Sequence, residues 1–257
     1  KKNPALITGE NHASKLLEKI KSEKSRLIQQ GKLRKEKLLP PITEAEKSFP
    51  LPEGWVWYRL LDVAKVFGGY AYKSTLFKKE GAHQVLRLGN IRPDQLRFLE
   101  NPVFITGQLA DATSEFCLKP NDILITMTGT RNKRDYLYSV LIKESDVSNQ
   151  NLYVNQRVGC IRPIGIVPRF LAMLLKHNVL LDIIFSSSTG SANQANIGIS
   201  ALQTWIIPIP PLDEQQIIFA QVEKLMCQLD ESKKRIYERK QLSEMLMQSV
   251  LREAFAK

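Results

Sequence analysis

The chain has 257 residues, 43% of them hydrophobic and 25% charged, with a formal net charge of +11. This composition is typical of one globular domain with an appendage, and no segment approaches the 18 or so consecutive apolar residues of a membrane-spanning helix. The three cysteines are far apart and odd in number, which argues against a disulfide framework and favours a reducing, cytoplasmic setting.

The positive charge is unevenly distributed along the chain. Residues 1–48 contain 12 basic and 6 acidic side chains, residues 49–211 contain 17 and 12, and residues 212–257 contain 8 of each. Nucleic acid is the natural acidic partner for the first two segments. The alternative is that the positive charge serves only the solubility of the chain.

The N-terminal segment is predicted to be a helix followed by a linker. Apolar residues recur on one face from residue 11 to residue 30, and Gly31 is a natural stop. Residues 33–46 are charged and contain two prolines, and the turn-rich stretch 50–55 precedes the main domain. The predicted organisation is a helix and linker at 1–48, a domain at 49–211 and a C-terminal helix at 212–257.

The main domain is predicted to combine strands and helices. A short helix is expected around 57–63, and a longer one at 168–186 that begins with Pro168. Apolar and β-branched runs predict strands at 84–88, 103–105, 123–127, 138–142, 154–161 and 204–207. Because strands crowd the first two-thirds and a helix comes late, the predicted fold class is α+β, or mixed α/β.

The C-terminal segment organises the rest of the chain. Pro208, Pro210 and Pro211 predict an extended hinge, and Asp213 is suited to cap a helix. Neither Gly nor Pro follows, so a helix of about 42 residues is predicted at 213–254, roughly 63 Å long. Its apolar residues are mostly three, four or seven apart. This spacing fits either an amphipathic helix that packs on the body of its own domain or a projecting helix that pairs with another helix.

Catalytic patterns are missing from the sequence. It has no Walker-type phosphate loop, no Gly-x-Ser-x-Gly elbow, no His-Glu-x-x-His and no glycine-rich methyl-donor loop. Asp122 and Glu115 lie near strands but lack the spaced lysine or partner expected of a nuclease. The chain is therefore predicted to be non-catalytic, without a metal or cofactor of its own.

Four loops, at 70–74, 87–92, 128–134 and 189–194, favour binding because they combine glycine with basic or amide side chains. Arg and Lys neutralise phosphate, and Asn, Gln and Arg pair with base edges. Any one loop is equally explained as a solvated turn. The predicted phosphate contacts are Lys73, Arg87, Arg92, Lys133 and Arg134, and the predicted base contacts are Arg131, Asn132, Asn193 and Gln194.

Two further features have two interpretations each. Tyr70 and Tyr72 fit either a contact with the sugar–phosphate backbone or the protein core. The run Asn155-Gln156-Arg157 fits either a binding loop or a structural hydrogen-bonding corner.

Several stretches in a fixed order carry a family resemblance. They are Leu51-Pro52-Glu53-Gly54-Trp55, Gly69-Tyr70-Ala71-Tyr72-Lys73-Ser74, Arg87-Leu88-Gly89-Asn90-Ile91, Asn121-Asp122-Ile123-Leu124-Ile125-Thr126-Met127-Thr128-Gly129-Thr130, Asn155-Gln156-Arg157, Ser188-Thr189-Gly190 and Ile207-Pro208-Ile209-Pro210-Pro211-Leu212-Asp213-Glu214-Gln215-Gln216. Each is weak alone, but their order and spacing over nearly the whole chain are specific. Together they resemble the specificity subunit of type I restriction-modification enzymes.

The resemblance implies a non-catalytic subunit that reads DNA. A full family chain has two target-recognition domains, each followed by a spacer helix, and the two helices pack antiparallel as a coiled coil. This chain has one such domain and one long helix, so it is expected to be the C-terminal half of a subunit or a half-size subunit that dimerises; the helix at 11–30 resembles the end of a preceding spacer. The family also implies modification and restriction subunits as partners, which bring S-adenosylmethionine, ATP and Mg.

The predicted function is recognition of one half of a split double-stranded DNA site within a type I complex. One alternative is a standalone DNA-modifying enzyme, which would bind S-adenosylmethionine by itself. The other is a protein scaffold whose long helix serves assembly alone, and DNA binding with a steep salt dependence would count against it.

Overall fold

The computed structural model describes residues 12–35, 39–191 and 194–256. The chain divides into two compact units, one that extends to Gln215 and one that begins at Gln216. The finer division at 1–48, 49–211 and 212–257 stays a prediction.

Helices and strands are mixed throughout the first unit, which confirms the α+β prediction. In the described residues the helices are α1 (Ala13–Gln29), α2 (Leu60–Val63), α3 (Gly107–Ala112), α4 (Glu144–Val147), α5 (Pro168–Leu174), α6 (Asn178–Ser186), α7 (Ile199–Thr204) and α8 (Leu212–Phe255). The strands are β1 (Val56–Arg59), β2 (Ala64–Gly68), β3 (His83–Leu86), β4 (Ile91–Arg92), β5 (Gln95–Leu96), β6 (Ile123–Thr126), β7 (Thr128–Gly129), β8 (Ser139–Leu141), β9 (Asn151–Val154), β10 (Val158–Pro163), β11 (Ala195–Asn196) and β12 (Ile206–Ile209). Short 3-10 turns lie at Glu44–Glu46, Ser74–Leu76, Leu88–Asn90 and Ser114–Phe116.

A four-stranded antiparallel sheet in the order β2-β10-β6-β8 forms the centre of the first unit. Ile123, Leu124 and Ile125 of β6 are fully buried, so this strand is covered on both faces. Leu124 joins an apolar cluster with residues of β3, β8 and β9 on one side. On the other side, a Cβ on Gly159 would lie 3.0 Å from Ile125 and 2.9 Å from Leu202 of α7. Burial on both faces explains the unbroken apolar run that predicts this strand.

The proline-rich stretch is extended, as predicted, but it is a buried strand of the core rather than a hinge. β12 pairs antiparallel with β1, with Pro208 opposite Trp57, and residues 205–211 are all buried. Among the described residues β12 has β1 as its only neighbour, and a strand paired on one side accepts proline. The last strand therefore begins at Ile206, just after α7, rather than at residue 204.

Two predicted elements are interrupted in the structure. The strand predicted at 154–161 is two strands, β9 and β10, because the turn at 155–157 reverses the chain. The helix predicted at 168–186 is α5 and α6, with His177 extended between them. Leu175 and Leu180 are both buried, and residues five apart lie roughly 140° apart around a continuous helix, so the break lets both reach the core.

Two shorter predictions also need correction. Trp57 lies in β1, and the helix predicted around 57–63 begins only at Leu60. The strand predicted at 103–105 is reduced to isolated bridges from Phe104 to Lys78 and Gln84. The strands predicted at 84–88, 123–127 and 138–142 are confirmed within one or two residues as β3, β6 and β8.

Helix α1 confirms the N-terminal helix and ends before Gly31, whose φ of +69° suits a helix stop. Its apolar face packs within the first unit. Ile20 lies so close to Gly165 that a Cβ there would be 2.6 Å from Ile20 Cγ1. The hydroxyl of Tyr58 donates to the carbonyl of Ala13 at 2.7 Å.

Helix α8 has 44 residues and confirms the long C-terminal helix. Asp213 and Glu214 lie in its first turn and Arg252 in its last, which is the charge arrangement that the helix dipole favours. Every residue from 223 to 256 is exposed, including a series of large apolar side chains. No helix in the described part of the chain is long and apolar enough to cross a membrane.

Candidate nucleic-acid interface

The predicted binding loops leave the central sheet at one end. Gly68 at the end of β2 lies opposite Gly159 near the start of β10, and Thr126 at the end of β6 lies opposite Val158. Ile125 lies opposite Ser139, the first residue of β8. Because the strands are antiparallel, the segments 69–74, 127–138 and 155–157 emerge together. The parallel pairing of β3 with β9 adds the loop that starts at Arg87.

The turn at 155–157 is the point where these loops are fastened to one another. It makes a main-chain hydrogen bond to each of three neighbouring segments: Asn155 N–H to Leu86 O (3.0 Å), Gln156 N–H to Tyr70 O (3.1 Å) and Met127 N–H to Arg157 O (3.1 Å). Gly69 makes the close approach possible, since a Cβ at this position would lie 2.2 Å from Val154 O. The exposed side chains of Gln156 and Arg157 are therefore carried by a well-fixed backbone.

The first two loops and this turn line an open cleft of about 590 Å³. The guanidinium of Arg87 lies in it, donates from Nη2 to Asn101 O at 2.7 Å and faces the Phe77 ring at 5.9 Å. Its Nε is buried and has no hydrogen-bond partner within the described residues. Arg157 and Gln156 also line the cleft.

Arg92 and Lys73 are placed differently from each other. Arg92 pairs with Glu100 at 3.1 Å, and its Nη1 donates to Gly89 O at 2.9 Å, so its side chain closes the second loop on itself. Lys73 is exposed at the start of a 3-10 turn. The arrangement leaves Lys73 more available to a ligand than Arg92.

The two tyrosines of the first loop have different environments. Tyr72 is buried, and its hydroxyl donates to Thr113 Oγ1 at 3.0 Å; burial raises its pKa. Tyr70 is 40% exposed and packs edge-on against Tyr72, with ring centroids 4.9 Å apart. Tyr72 therefore belongs to the core, and Tyr70 retains an accessible face.

The third and fourth loops are joined by a short antiparallel ribbon of β7 and β11. Arg131 bridges them, with Nη2 at 3.3 Å from Ser188 O and 3.4 Å from Gly190 O. Gln194 is exposed beside β11. Asn193 lies outside the described residues. Two sets of residues that are far apart in sequence thus share one surface.

The shape of the third loop is set by Asp135. Its carboxylate accepts from the Thr130 N–H and, at 3.2 Å, from Thr130 Oγ1. The main-chain bond from Thr130 is the main reason that the pKa of Asp135 lies below its ordinary value. Arg134, at a φ of +49°, pairs with Asp182 at 2.6 Å and faces the Phe185 ring at 4.7 Å. Asn132 and Lys133 are exposed at the tip.

Hydrogen-bond donors dominate this end of the sheet. Guanidinium and ammonium groups have no acceptor, so they suit phosphate oxygens and the acceptor atoms of base edges. In the described residues no group of three or more His, Cys, Asp and Glu could hold a metal ion. The predicted contact residues do not include Gln156 and Arg157, because the sequence left the run Asn155-Gln156-Arg157 between a binding loop and a structural corner.

Comparison with known proteins places this chain in a family. Residues 52–239 match the family described as type I restriction modification DNA specificity domain. The specificity subunit of the Escherichia coli type I restriction enzyme EcoAI is 30% identical over 217 residues, which cover 83% of this chain and 35% of the relative. That of EcoEI, also from Escherichia coli, is 27% identical over 230 residues, covering 87% of this chain and 38% of the relative.

Solved structures share the fold at lower sequence identity. A chain from work on complex assembly and conformational transition of the type I R-M system has a TM-score of 0.59 and 19% identity, covering 95% of this chain and 54% of that one. The HsdS subunit of Thermoanaerobacter tengcongensis has a TM-score of 0.50 and 18% identity, covering 84% and 51%. This chain thus spans between about a third and about half of the length of these proteins. On the match over residues 52–239, the chain belongs to the family of type I restriction modification DNA specificity domains.

Proposed function

We propose that the chain recognises one half of a split site in double-stranded DNA, as the specificity subunit, or half of it, of a type I restriction-modification complex. The observation that carries the proposal is the convergence of the basic and amide-rich loops at one end of the central sheet. Residues 49–211 supply 17 basic and 12 acidic side chains, so the surface is offered by a net positive domain.

Different parts of the surface are proposed to do different work. Arg131, Asn132, Asn193 and Gln194 are the proposed base contacts, because their side-chain types pair with base edges. The β7–β11 ribbon, which joins the loops that carry Arg131, Asn132 and Gln194, supports this proposal. Lys73, Arg87, Arg92, Lys133 and Arg134 are the proposed phosphate contacts. Within that set the ion pairs of Arg92 and Arg134 must open or be shared, whereas Lys73 and Lys133 are already exposed.

The long helix is proposed to be the spacer. Its exposed apolar residues would be covered by pairing antiparallel with a second spacer helix, from another copy or from the other half of the subunit. A helix roughly 60 Å long can separate two reading domains by about one turn of DNA, near 34 Å, after overlap. The modification and restriction subunits would supply the methyl transfer, translocation and cleavage, and this chain would position them.

Selection from a pool of random DNA duplexes tests the proposal. The full chain is used alone and then with the modification subunit of a type I system. A short enriched sequence is the expected result, and two copies at fixed spacing would add pairing through the helices. Salt-sensitive binding without enrichment would reduce the surface to a generic basic patch. S-adenosylmethionine binding by the chain alone would favour a standalone enzyme instead.

A further inference from the structure

The cleft lined by Arg87 and Arg157 presents donors that lack an acceptor. Arg87 Nη2 donates to Asn101 O at 2.7 Å, and its buried Nε has no hydrogen-bond partner within the described residues, so the guanidinium has donor capacity that these residues leave unused. The one acidic side chain among the described residues that line the cleft, Glu100, already pairs with Arg92 at 3.1 Å and Arg97 at 3.2 Å. The cleft is therefore electropositive and calls for an acceptor-rich, anionic ligand.

The backbone that carries Arg157 is fixed while its side chain is free to bind. Arg157 O accepts from the Met127 N–H at 3.1 Å, and the preceding Gln156 N–H donates to Tyr70 O. The Arg157 side chain is exposed. Within the described residues Gly89, also on the cleft wall, has no atom within 4 Å of the position that a Cβ would occupy, which leaves room for a ligand to approach the main chain.

The concave shape of the cleft favours one part of the duplex. Phosphates form the outermost ridge of DNA and can enter a cleft, whereas base edges lie recessed in a groove and are reached by side chains that project. We propose that this cleft binds a phosphodiester of the DNA backbone between Arg87 and Arg157, and that Arg157 fixes the register of the duplex without reading its sequence. The inference rests on the proposed DNA-binding function and adds to it a site and a residue.

Neutral phosphate substitution tests this role directly. Each phosphate of the selected duplex is replaced in turn by an uncharged methylphosphonate, and binding is measured for the full chain and for Arg157→Ala. For the unaltered chain, substitution of each contacted phosphate should weaken binding, and the cleft should account for one or two adjacent positions, each with an effect of about tenfold. Arg157→Ala should weaken binding by a similar factor on selected and random duplexes alike, and lower the slope of log K against log salt by about 1. It should also be less sensitive than the unaltered chain to substitution at the cleft positions, where Arg87 remains.

Two variants keep the test specific. Arg157→Lys retains the charge and should keep most of the affinity, because a point charge serves a phosphate but cannot replace a bidentate base contact. Arg239→Ala removes one charge from an exposed position of α8 and should leave the methylphosphonate pattern unchanged.

The outcomes separate the cleft from the function on which it rests. If Arg157→Ala loses affinity for the selected sequence alone and keeps the full methylphosphonate pattern, Arg157 reads a base and the inference is overturned. If the unaltered chain binds selectively and Arg157→Ala behaves like it in every respect, the cleft is not the phosphate site, although the DNA-binding function stands. If the unaltered chain binds no duplex, the proposed function itself fails.

Discussion

The N–H of Met127 donates a hydrogen bond of 3.1 Å to the carbonyl of Arg157. Met127 leads from β6 into the loop that contains Arg131, and Arg157 lines the cleft that contains Arg87. The two halves of the candidate interface therefore share one main-chain frame, and their relative positions are set by the central sheet.

Arg131 is predicted to contribute to sequence discrimination. Arg131→Ala should cost about 1–3 kcal/mol on the selected sequence and much less on random DNA, because it removes a side chain proposed to pair with a base. The matched control is Lys133→Ala, two residues further on and also exposed. Lys133→Ala should weaken binding to the selected and random duplexes alike, as expected of a phosphate contact. Equal losses on both duplexes for Arg131→Ala would move that residue to the phosphate set.

Gly69 is predicted to be required for the frame of the interface. Gly69→Ala places a Cβ 2.2 Å from Val154 O and 2.3 Å from Asn155 O, so the backbone must move. The free energy of unfolding should fall by about 1–3 kcal/mol, and the folded fraction should bind DNA more weakly. Gly89→Ala meets nothing within 4 Å among the described residues and should leave stability unchanged. Comparable denaturation curves for both variants would contradict the close contact at Gly69.

The buried ion pair at the other end of the sheet is predicted to matter for stability rather than binding. Arg162 donates twice to the fully buried carboxylate of Asp122, each bond 2.7 Å long. Asp122→Ala should lower the free energy of unfolding by about 3 kcal/mol, because it leaves a guanidinium unpaired. Asp182→Ala, which breaks the exposed pair with Arg134, should cost at most about 1 kcal/mol. Urea denaturation distinguishes them, and equal losses would contradict this difference.

Asp135 is predicted to make the third loop sensitive to acid. Hydrogen bonds from Thr130 hold the pKa of Asp135 below its ordinary value of 3.8, so their stabilisation is complete above that value and is lost as pH falls through the folded-state pKa. At pH 7, Asp135→Ala should speed exchange of the Thr130 amide by about fivefold, equivalent to about 1 kcal/mol. Exchange measured by NMR that is unaffected by Asp135→Ala would contradict the role of this carboxylate.

The exposed apolar residues of α8, which include Leu229 and Ile236, are predicted to support pairing with a second helix. Leu229 and Ile236 are 53% and 67% exposed. If the chain pairs with a second copy through α8, replacing both residues by Lys should convert the dimer into a monomer in sedimentation experiments. Replacing Gln228 and Gln248 by Lys adds the same charge at polar positions and should leave association intact. Identical sedimentation of the two double variants would contradict self-association through these residues.

Local signals were sufficient for the elements that leave a pattern in neighbouring residues. The one-sided apolar pattern and Gly31 predict α1, the absence of Gly and Pro predicts α8, and the unbroken apolar run predicts β6. What the sequence could not provide is contact between distant residues. The break at Asn155 depends on Leu86, and the burial of Pro208 depends on Trp57. Neither partner is near in sequence.

The candidate site shows the same limit. Glycine and donor side chains single out the candidate loops, but the meeting of these loops at one end of the sheet follows from strand pairing. The pairing of Arg92 with Glu100 and of Arg134 with Asp182 also follows from the fold. Sequence alone therefore put Arg92 and Lys73 in the same set of predicted phosphate contacts, and it left Arg157 between a binding role and a structural role.

Hydrogen–deuterium exchange of the full chain, with and without the selected duplex, tests the central claim most directly. We expect slower exchange on binding in residues 69–77, 87–92, 128–136, 155–157 and 187–191, which lie at or are joined to one end of the sheet. No change is expected in residues 119–122 and 163–166, at the other end. Protection confined to those residues or to α8, with the loops unchanged, would contradict the assignment of this surface as the DNA interface.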